Sequence, residues 1–153
     1  MGISRLVYVS TANPDLMLTD IDAIVATARA RNEIEGITGL LSYNGFNFMQ
    51  LLEGPPASVE RVFDSIGQDS RHSGVITVLS QAADTRLFAG WSMAFARTGK
   101  GGDQRSLAVT TQALSAYLPE ALSPELHMLF VRFNTLSAFD GLPPDDGELR
   151  PAR

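Results

Sequence analysis

The chain is 153 residues long, 44% hydrophobic and 19% charged, with a formal net charge of −5, two histidines and no cysteine. That length suits one ordinary domain with a single core and some covering helices, and the composition is that of a packed globular protein. The acidic balance argues against direct nucleic-acid binding, which is mostly cationic neutralisation of phosphates, and the missing cysteines exclude disulfides, thiolate catalysis and thiolate metal sites.

Residues 3–10 mix β-branched, aromatic and apolar side chains, the pattern of a largely buried strand. After a turn at Asn13-Pro14, Thr19 reads as a helix N-cap with Asp22 three residues on, and Ile21, Ile24, Val25 and Ala28 mark one face of a helix over residues 20–32. Residues 36–43 and 46–53 are apolar runs flanking Asn44-Gly45, a dipeptide suited to a tight hairpin turn. Gly54-Pro55-Pro56 ends the second run, and Val59, Val62, Phe63 and Ile66 repeat at helical spacing in a second helix ending near Asp69. Residues 75–81 and 88–96 read as two more strands, joined through Asp84-Thr85-Arg86. The resulting βαββαββ order predicts an α+β, ferredoxin-like sandwich: a mixed sheet of four or five strands with both helices on one face.

Past a Gly-rich break at 99–103, residues 106–118 are expected to be helical. Ser123-Pro124-Glu125 starts another helix, with Leu126, Leu129, Phe130 and Phe133 as its apolar stripe. These two C-terminal helices would cover the sheet face the first pair leaves bare. From Asp140 onward the chain has few large apolar residues, so a disordered tail is expected over 140–153. No stretch approaches the roughly 18 uninterrupted apolar residues of a spanning helix, and the N-terminus has no leader-like pattern, so the expected location is the cytoplasm, with no membrane contact.

Three polar residues stand in apolar places. Gln50 lies within Phe48-Met49-Gln50-Leu51-Leu52 and by alternation shares a strand face with Phe46, Phe48 and Leu52. A buried amide without partners costs roughly 1–3 kcal/mol, so Gln50 should have them. Tyr8, enclosed by Leu6, Val7 and Val9, raises the same question. In a sheet of this order the first strand is central and next to the second hairpin strand, so Tyr8 and Gln50 can lie side by side. Asn32 continues the sheet-facing stripe of the first helix. A self-satisfied Tyr and Gln pair and a helix-ending Asn would explain each residue singly. Together, two amides and a phenol facing one space suit a planar heterocycle with alternating donors and acceptors.

The ordered set Leu6-Val7-Tyr8-Val9-Ser10, Asn32, Gly36-Ile37-Thr38-Gly39-Leu40-Leu41, Phe48 to Gly54, Asp69 with Arg71-His72, and Trp91-Ser92-Met93 resembles the BLUF domain, a flavin-binding blue-light sensor. The similarity covers roughly residues 3–97. It implies a sensor domain over 1–97, followed by a helical cap over 98–139. In that family the flavin ring sits between the first two helices. By analogy Asn32 would bond the pyrimidine edge of the ring, Gln50 would sit between Tyr8 and the flavin, and Ile24 and Ile66 would pack on the two ring faces. Asp69, Arg71 and His72 match family positions near the ring or ribityl chain. The resemblance implies a photoswitch made of Tyr8, Gln50, Trp91 and Met93, and no substrate turnover.

No G-x-G-x-x-G or P-loop holds a pyrophosphate, so affinity should rest on the ring. Arg29 and Arg31 are candidate phosphate contacts, equally well explained as solvated helix ends. FAD is the implied cofactor, with FMN open, and Arg31 departs from the neutral residue or histidine many relatives carry there. A chain this short would signal to a separate partner protein, and a homodimer or larger assembly is expected. Two rival readings are a small enzyme with Asp69, Arg71 and His72 as acid/base groups, and a flavin-free interaction module. The enzyme reading has no nucleophile, metal cluster or paired acid at a supporting spacing, and in the interaction module Tyr8 and Gln50 would merely satisfy each other.

Overall fold

Apolar runs with β-branched residues become strands, and the two helical-period segments lie across them. The computed structural model of the chain describes residues 2–90, 93–97, 107–108 and 118–135. Its elements are β1 (Ile3–Ala12), α1 (Leu18–Glu35), β2 (Thr38–Tyr43), β3 (Asn47–Gly54), α2 (Pro56–Gly67), β4 (His72–Ala83), β5 (Ala94–Arg97), β6 (Leu107–Ala108) and α3 (Pro124–Thr135). The sheet order is β4-β1-β3-β2-β5-β6. The first four strands pair antiparallel, and β5 and β6 join in parallel. The ferredoxin-like α+β architecture and the mixed sheet are as expected, and the described residues form six strands, the last of only two residues.

Both predicted helices cover one face. Ile21 and Val25 of α1 and Val59, Val62 and Ile66 of α2 pack with Leu6, Tyr8, Leu41, Phe48 and Leu52. On the opposite face α3 buries Leu126, Phe130 and Phe133 against Val7, Leu40, Met49 and Leu51. Strands β1, β2 and β3 are buried on both faces over most of their length, which is why their sequences run apolar without alternation. Leu129 departs from the expected stripe, being 37% exposed; the buried row instead runs through Leu122, Leu126, Phe130 and Phe133.

Several boundaries differ from the sequence reading. Helix α1 begins at Leu18, because Asp20 Oδ2 accepts the Met17 N–H at 2.8 Å; neither Thr19 nor Asp22 is the cap. It ends beyond Asn32 at Gly36, whose φ of 72° is a left-handed terminus. The hairpin turn is wider than two residues: Asn44 Oδ1 accepts the N–H groups of Phe46 and Asn47. Phe46 therefore belongs to the turn, 57% exposed, and not to the strand face of Gln50. The strand placed over 88–96 begins only at Ala94, because Gly90 with φ 84° breaks the extended run.

Leu107 and Ala108 pair with β5 as a strand, where a helix over 106–118 was expected. The remainder of that segment to residue 117, the break at 99–103, Trp91 and the tail at 140–153 lie outside the described residues. Pro124 opens α3 as expected, with the Leu126 N–H donating to Ser123 Oγ at 3.2 Å. Among the described residues no helix is long and apolar enough to cross a membrane.

Candidate functional site

Three adjacent strands present one row of side chains to the helices. Tyr8 on β1 is directly opposite Gln50 on β3, and Gln50 is opposite Leu41 on β2. Facing residues of antiparallel strands project to the same side, and Tyr8, Leu41 and Phe48 belong to the helix-side core. The juxtaposition expected from strand order is therefore present.

The Tyr8 hydroxyl donates to Gln50 Oε1 at 2.6 Å, and Gln50 Nε2 donates to Met93 Sδ at 3.4 Å. Both ends of the amide are occupied, but unequally. The phenol-to-carbonyl bond is short, whereas a thioether is a weak acceptor and leaves an amide donor inexpensive to re-aim. The Met93 carbonyl accepts from Arg29 Nε at 2.9 Å. Burial pushes the Tyr8 phenol well above its ordinary value of 10.0; Arg31 pulls it partly back, and Asp69 adds to the rise. The phenol keeps its proton at any ordinary pH.

Between α1, α2 and the sheet lies a cavity of about 450 Å3 including its open mouth. Ile24, Ala28, Leu41, Phe48 and Ile66 form its apolar walls, and Tyr8, Thr27, Arg31, Gln50, Asp69, Arg71 and His72 its polar ones. Apolar walls beside several placed polar groups are the lining expected of a site for a small molecule with both apolar and hydrogen-bonding surface.

Its mouth carries opposed charges. Arg71 Nη2 donates to Asp69 Oδ2 at 2.6 Å and Arg71 Nε to Asp69 Oδ1 at 2.9 Å. Those bonds hold the Asp69 carboxyl below its usual range despite the opposing effect of burial. Partial burial lowers the pKa of Arg31, and the nearby Arg71 cation lowers it further. The Ile66 carbonyl, 2.7 Å from His72 Nε2, can only accept, so that ring nitrogen carries the hydrogen. His72 Nδ1 faces Ser10 Oγ at 2.6 Å. His72 thus ties β1 to the end of α2 while lining the cavity.

Asn32 is fully buried on the last turns of α1 and is not among the lining side chains. Its Oδ1 accepts from Arg31 Nε at 3.2 Å, and its carbonyl accepts the Ile37 N–H at 2.8 Å. Sequence reasoning missed Thr27, Leu41, Phe48 and Ser10. Thr27 was findable, because it lies three residues after Ile24 and four before Arg31 on one helix face. Among the described residues no group of three or more His, Asp or Glu could hold a metal ion.

A family model for BLUF, the sensors of blue light using FAD, matches residues 3–94. Similar curated proteins include the blue light- and temperature-regulated antirepressor BluF of Escherichia coli (strain K12), 36% identical over 86 residues, which are 56% of this chain and 21% of that protein. Photoactivated adenylate cyclase subunit alpha of Euglena gracilis is 39% identical over 83 residues, 54% of this chain and 8% of that protein. The chain thus spans about a fifth or less of the length of these relatives. Among solved structures, BlrP1 BLUF superimposes with a TM-score of 0.69 at 29% identity, covering 88% of this chain and 90% of that one. The dark-state structure of BlrB, a BLUF protein, gives 0.61 at 30% identity, covering 97% and 92%.

Proposed function

Since the chain belongs to the BLUF family, the sensors of blue light using FAD, we propose that Tyr8, Gln50 and Met93 form its light switch, beside a flavin held in the cavity between α1 and α2. The observation that carries this reading is the Gln50 amide, bonded by Tyr8 at 2.6 Å on one end and by the weakly accepting Met93 sulfur on the other. A structural Gln would be expected to find a stronger acceptor than a thioether in a core this well paired.

The residues present fit the cofactor. Ile24 and Ile66 line the cavity from the two helices and would pack on the faces of a planar ring. Gln50, Tyr8 and Thr27 supply mixed donors and acceptors for its polar edge, and Asn32 would supply a further amide through the last turns of α1. Asp69, Arg71 and His72 would meet the ring or the chain attached to it at the open mouth. Arg31 and Arg71 are the lining cations, which supports FAD or FMN over a phosphate-free flavin, with FAD the form that the family favours.

When bound, the flavin supplies blue-light absorption and, once excited, a one-electron acceptor. Tyr8 is the residue that can release an electron, and its phenolic proton has Gln50 Oε1 as its immediate acceptor. Gln50 can then rotate or tautomerise, because its weakly held NH2 group leaves Met93 at small cost. Return of the electron and proton restores the phenol, so nothing is consumed. The altered amide would shift the absorption of the cofactor to the red and move Met93, which precedes β5. Trp91 is a second candidate carrier on the same segment.

The proposal extends to organisation: residues 1–97 as the sensor, 98–139 as its cap, and a separate protein as the recipient of the signal, with the chain acting in the cytoplasm as a homodimer or larger assembly. The enzyme reading is disfavoured by pairing, since Asp69 is held by Arg71 and His72 by Ser10 and Ile66. The deciding experiment is the visible spectrum of the purified protein before and after blue light. A reversible red shift of a bound oxidised flavin is expected; a protein that is colourless and takes up no added FAD, FMN or riboflavin refutes the reading.

A further inference from the structure

Beyond the light-sensing cavity, at the end of β3 that carries Gln50, stands a buried carboxylate that the switch does not use. Glu53 is 0% exposed. Its Oε1 accepts from Leu87 N at 2.9 Å and Arg5 Nε at 3.4 Å, and its Oε2 accepts from Phe88 N at 2.6 Å and Thr38 Oγ1 at 3.3 Å. A carboxylate has about four acceptor positions, and all four are filled.

Three strands and one connecting segment converge here. Arg5 is on β1, Thr38 on β2 and Glu53 on β3, whereas Leu87 and Phe88 belong to the segment between β4 and β5. The same segment is held twice more. Arg5 Nη2 donates to the Thr85 carbonyl at 2.8 Å. Arg86 reaches back to Thr38 Oγ1 at 2.9 Å, the Glu53 carbonyl at 3.1 Å and the Gly36 carbonyl at 2.8 Å. Five residues past Phe88 is Met93, the side chain on Gln50. Gly39, next to Thr38, lies against it: a Cβ there would stand 3.4 Å from Met93 Cε.

We propose that Glu53 is a positioning residue of the light switch: by holding the Leu87 and Phe88 N–H groups it anchors the segment from which Met93 reaches Gln50, and so sets how fast that contact re-forms in the dark. A carboxylate suits this role because both its oxygens accept. An amide at the same place would turn two donors towards donors, and a buried N–H group whose carboxylate acceptor is withdrawn loosens the segment it belongs to. Glu53 and Gln50 lie three residues apart on one strand and hold opposite ends of the segment that leads to β5. Displacement of Met93 therefore works against a fixed anchor.

The inference rests on the light-switch reading, and the test separates the two. Glu53→Gln is compared with the wild-type full chain, first in the dark by hydrogen exchange and then by flash-induced absorption. Leu87 and Phe88 amides should exchange at least ten-fold faster in the variant. The red shift should keep its amplitude, and dark recovery should slow several-fold. In a Met93→Leu background, Glu53→Gln should slow recovery no further, because both changes act through one contact; a merely structural role predicts independent effects. Unchanged exchange at Leu87 and Phe88 overturns the anchor, and faster exchange with unchanged recovery overturns its link to the switch. Should Glu53→Gln fail to fold, Glu53→Asp keeps the charge but draws the carboxylate back from the Leu87 and Phe88 N–H groups, and is read by the same exchange and recovery measurements with the same overturning outcomes. A wild-type chain lacking any light response would refute the proposed function, while the dark exchange data would still judge the anchor.

Discussion

Tyr8 and Gln50 are partners twice over: their Cα positions face each other in the β1–β3 register, and the phenol donates to the amide oxygen across 2.6 Å. Backbone pairing therefore sets the phenol and the amide side by side whatever the flanking loops do. A switch built on it must work by turning the amide, since the strands cannot move apart.

Replacing Gln50 with leucine tests that consequence. Leucine is close in size, so folding and flavin binding should persist, although the Tyr8 hydroxyl loses its acceptor at a cost of about 1–3 kcal/mol. The reversible red shift should vanish, because no donor and acceptor ends remain to exchange. Tyr8→Phe should also abolish it, having lost the phenolic proton and the readily donated electron. Paired dark and illuminated spectra decide, and a normal red shift in Gln50→Leu would show the assigned mechanism to be wrong.

Asn32→Ala should weaken flavin retention roughly ten-fold, one hydrogen bond being worth about 0.5–1.5 kcal/mol with a further loss if a ring group is left unpaired. Fluorescence titration of the apoprotein measures it. The bond from Arg31 to Asn32 Oδ1 adds a second expectation: the alanine variant frees the guanidinium, so FMN and FAD should lose less affinity than riboflavin. Equal losses for all three would separate Arg31 from the phosphate.

The raised pKa of Tyr8 has a definite sign in alkali. Above its unfolded value of 10.0 the unfolded chain releases the phenolic proton while the folded chain retains it. Unfolding then leaves fewer protons bound, so the contribution to stability, complete below 10.0, declines as pH rises towards the higher folded value. At about pH 10.5, where a free tyrosine is mostly phenolate, the red shift should still be present and Tyr8 still protonated. The check is a near-ultraviolet phenolate titration of the wild type against Tyr8→Phe; a difference titrating near 10 would contradict the burial argument.

The central elements were readable because burial on both strand faces leaves polar residues conspicuous: Tyr8 and Gln50 stood out against Leu6, Val7, Leu51 and Leu52 for that reason. The role of Glu53 was hidden. Its partners are backbone N–H groups 34 and 35 residues away, which no side-chain pattern marks. The start of β5 was misplaced because Phe88 is as buried and apolar as a strand residue yet lies in a turn set by the segment's anchors and Gly90. Pairing of Leu107 and Ala108 with β5 is a tertiary choice that overrode local helical preference.

Met93 offers the finest test of how the amide is poised. It is buried, its carbonyl is held by Arg29, and its sulfur is the acceptor for Gln50 Nε2. Met93→Leu conserves volume, so the stability loss should stay below about 1.5 kcal/mol, whereas Met93→Ala would leave a cavity costing about 2–5 kcal/mol. In the leucine variant Tyr8 still fixes the carbonyl end of Gln50, so flavin binding and the red shift should remain. The dark arrangement alone loses a weak bond worth on the order of 0.5–1.5 kcal/mol. With less driving force to return, recovery in the dark should slow about two- to ten-fold. Unchanged recovery would mean that the sulfur contributes nothing to the dark orientation, and faster recovery would mean that it favours the illuminated one.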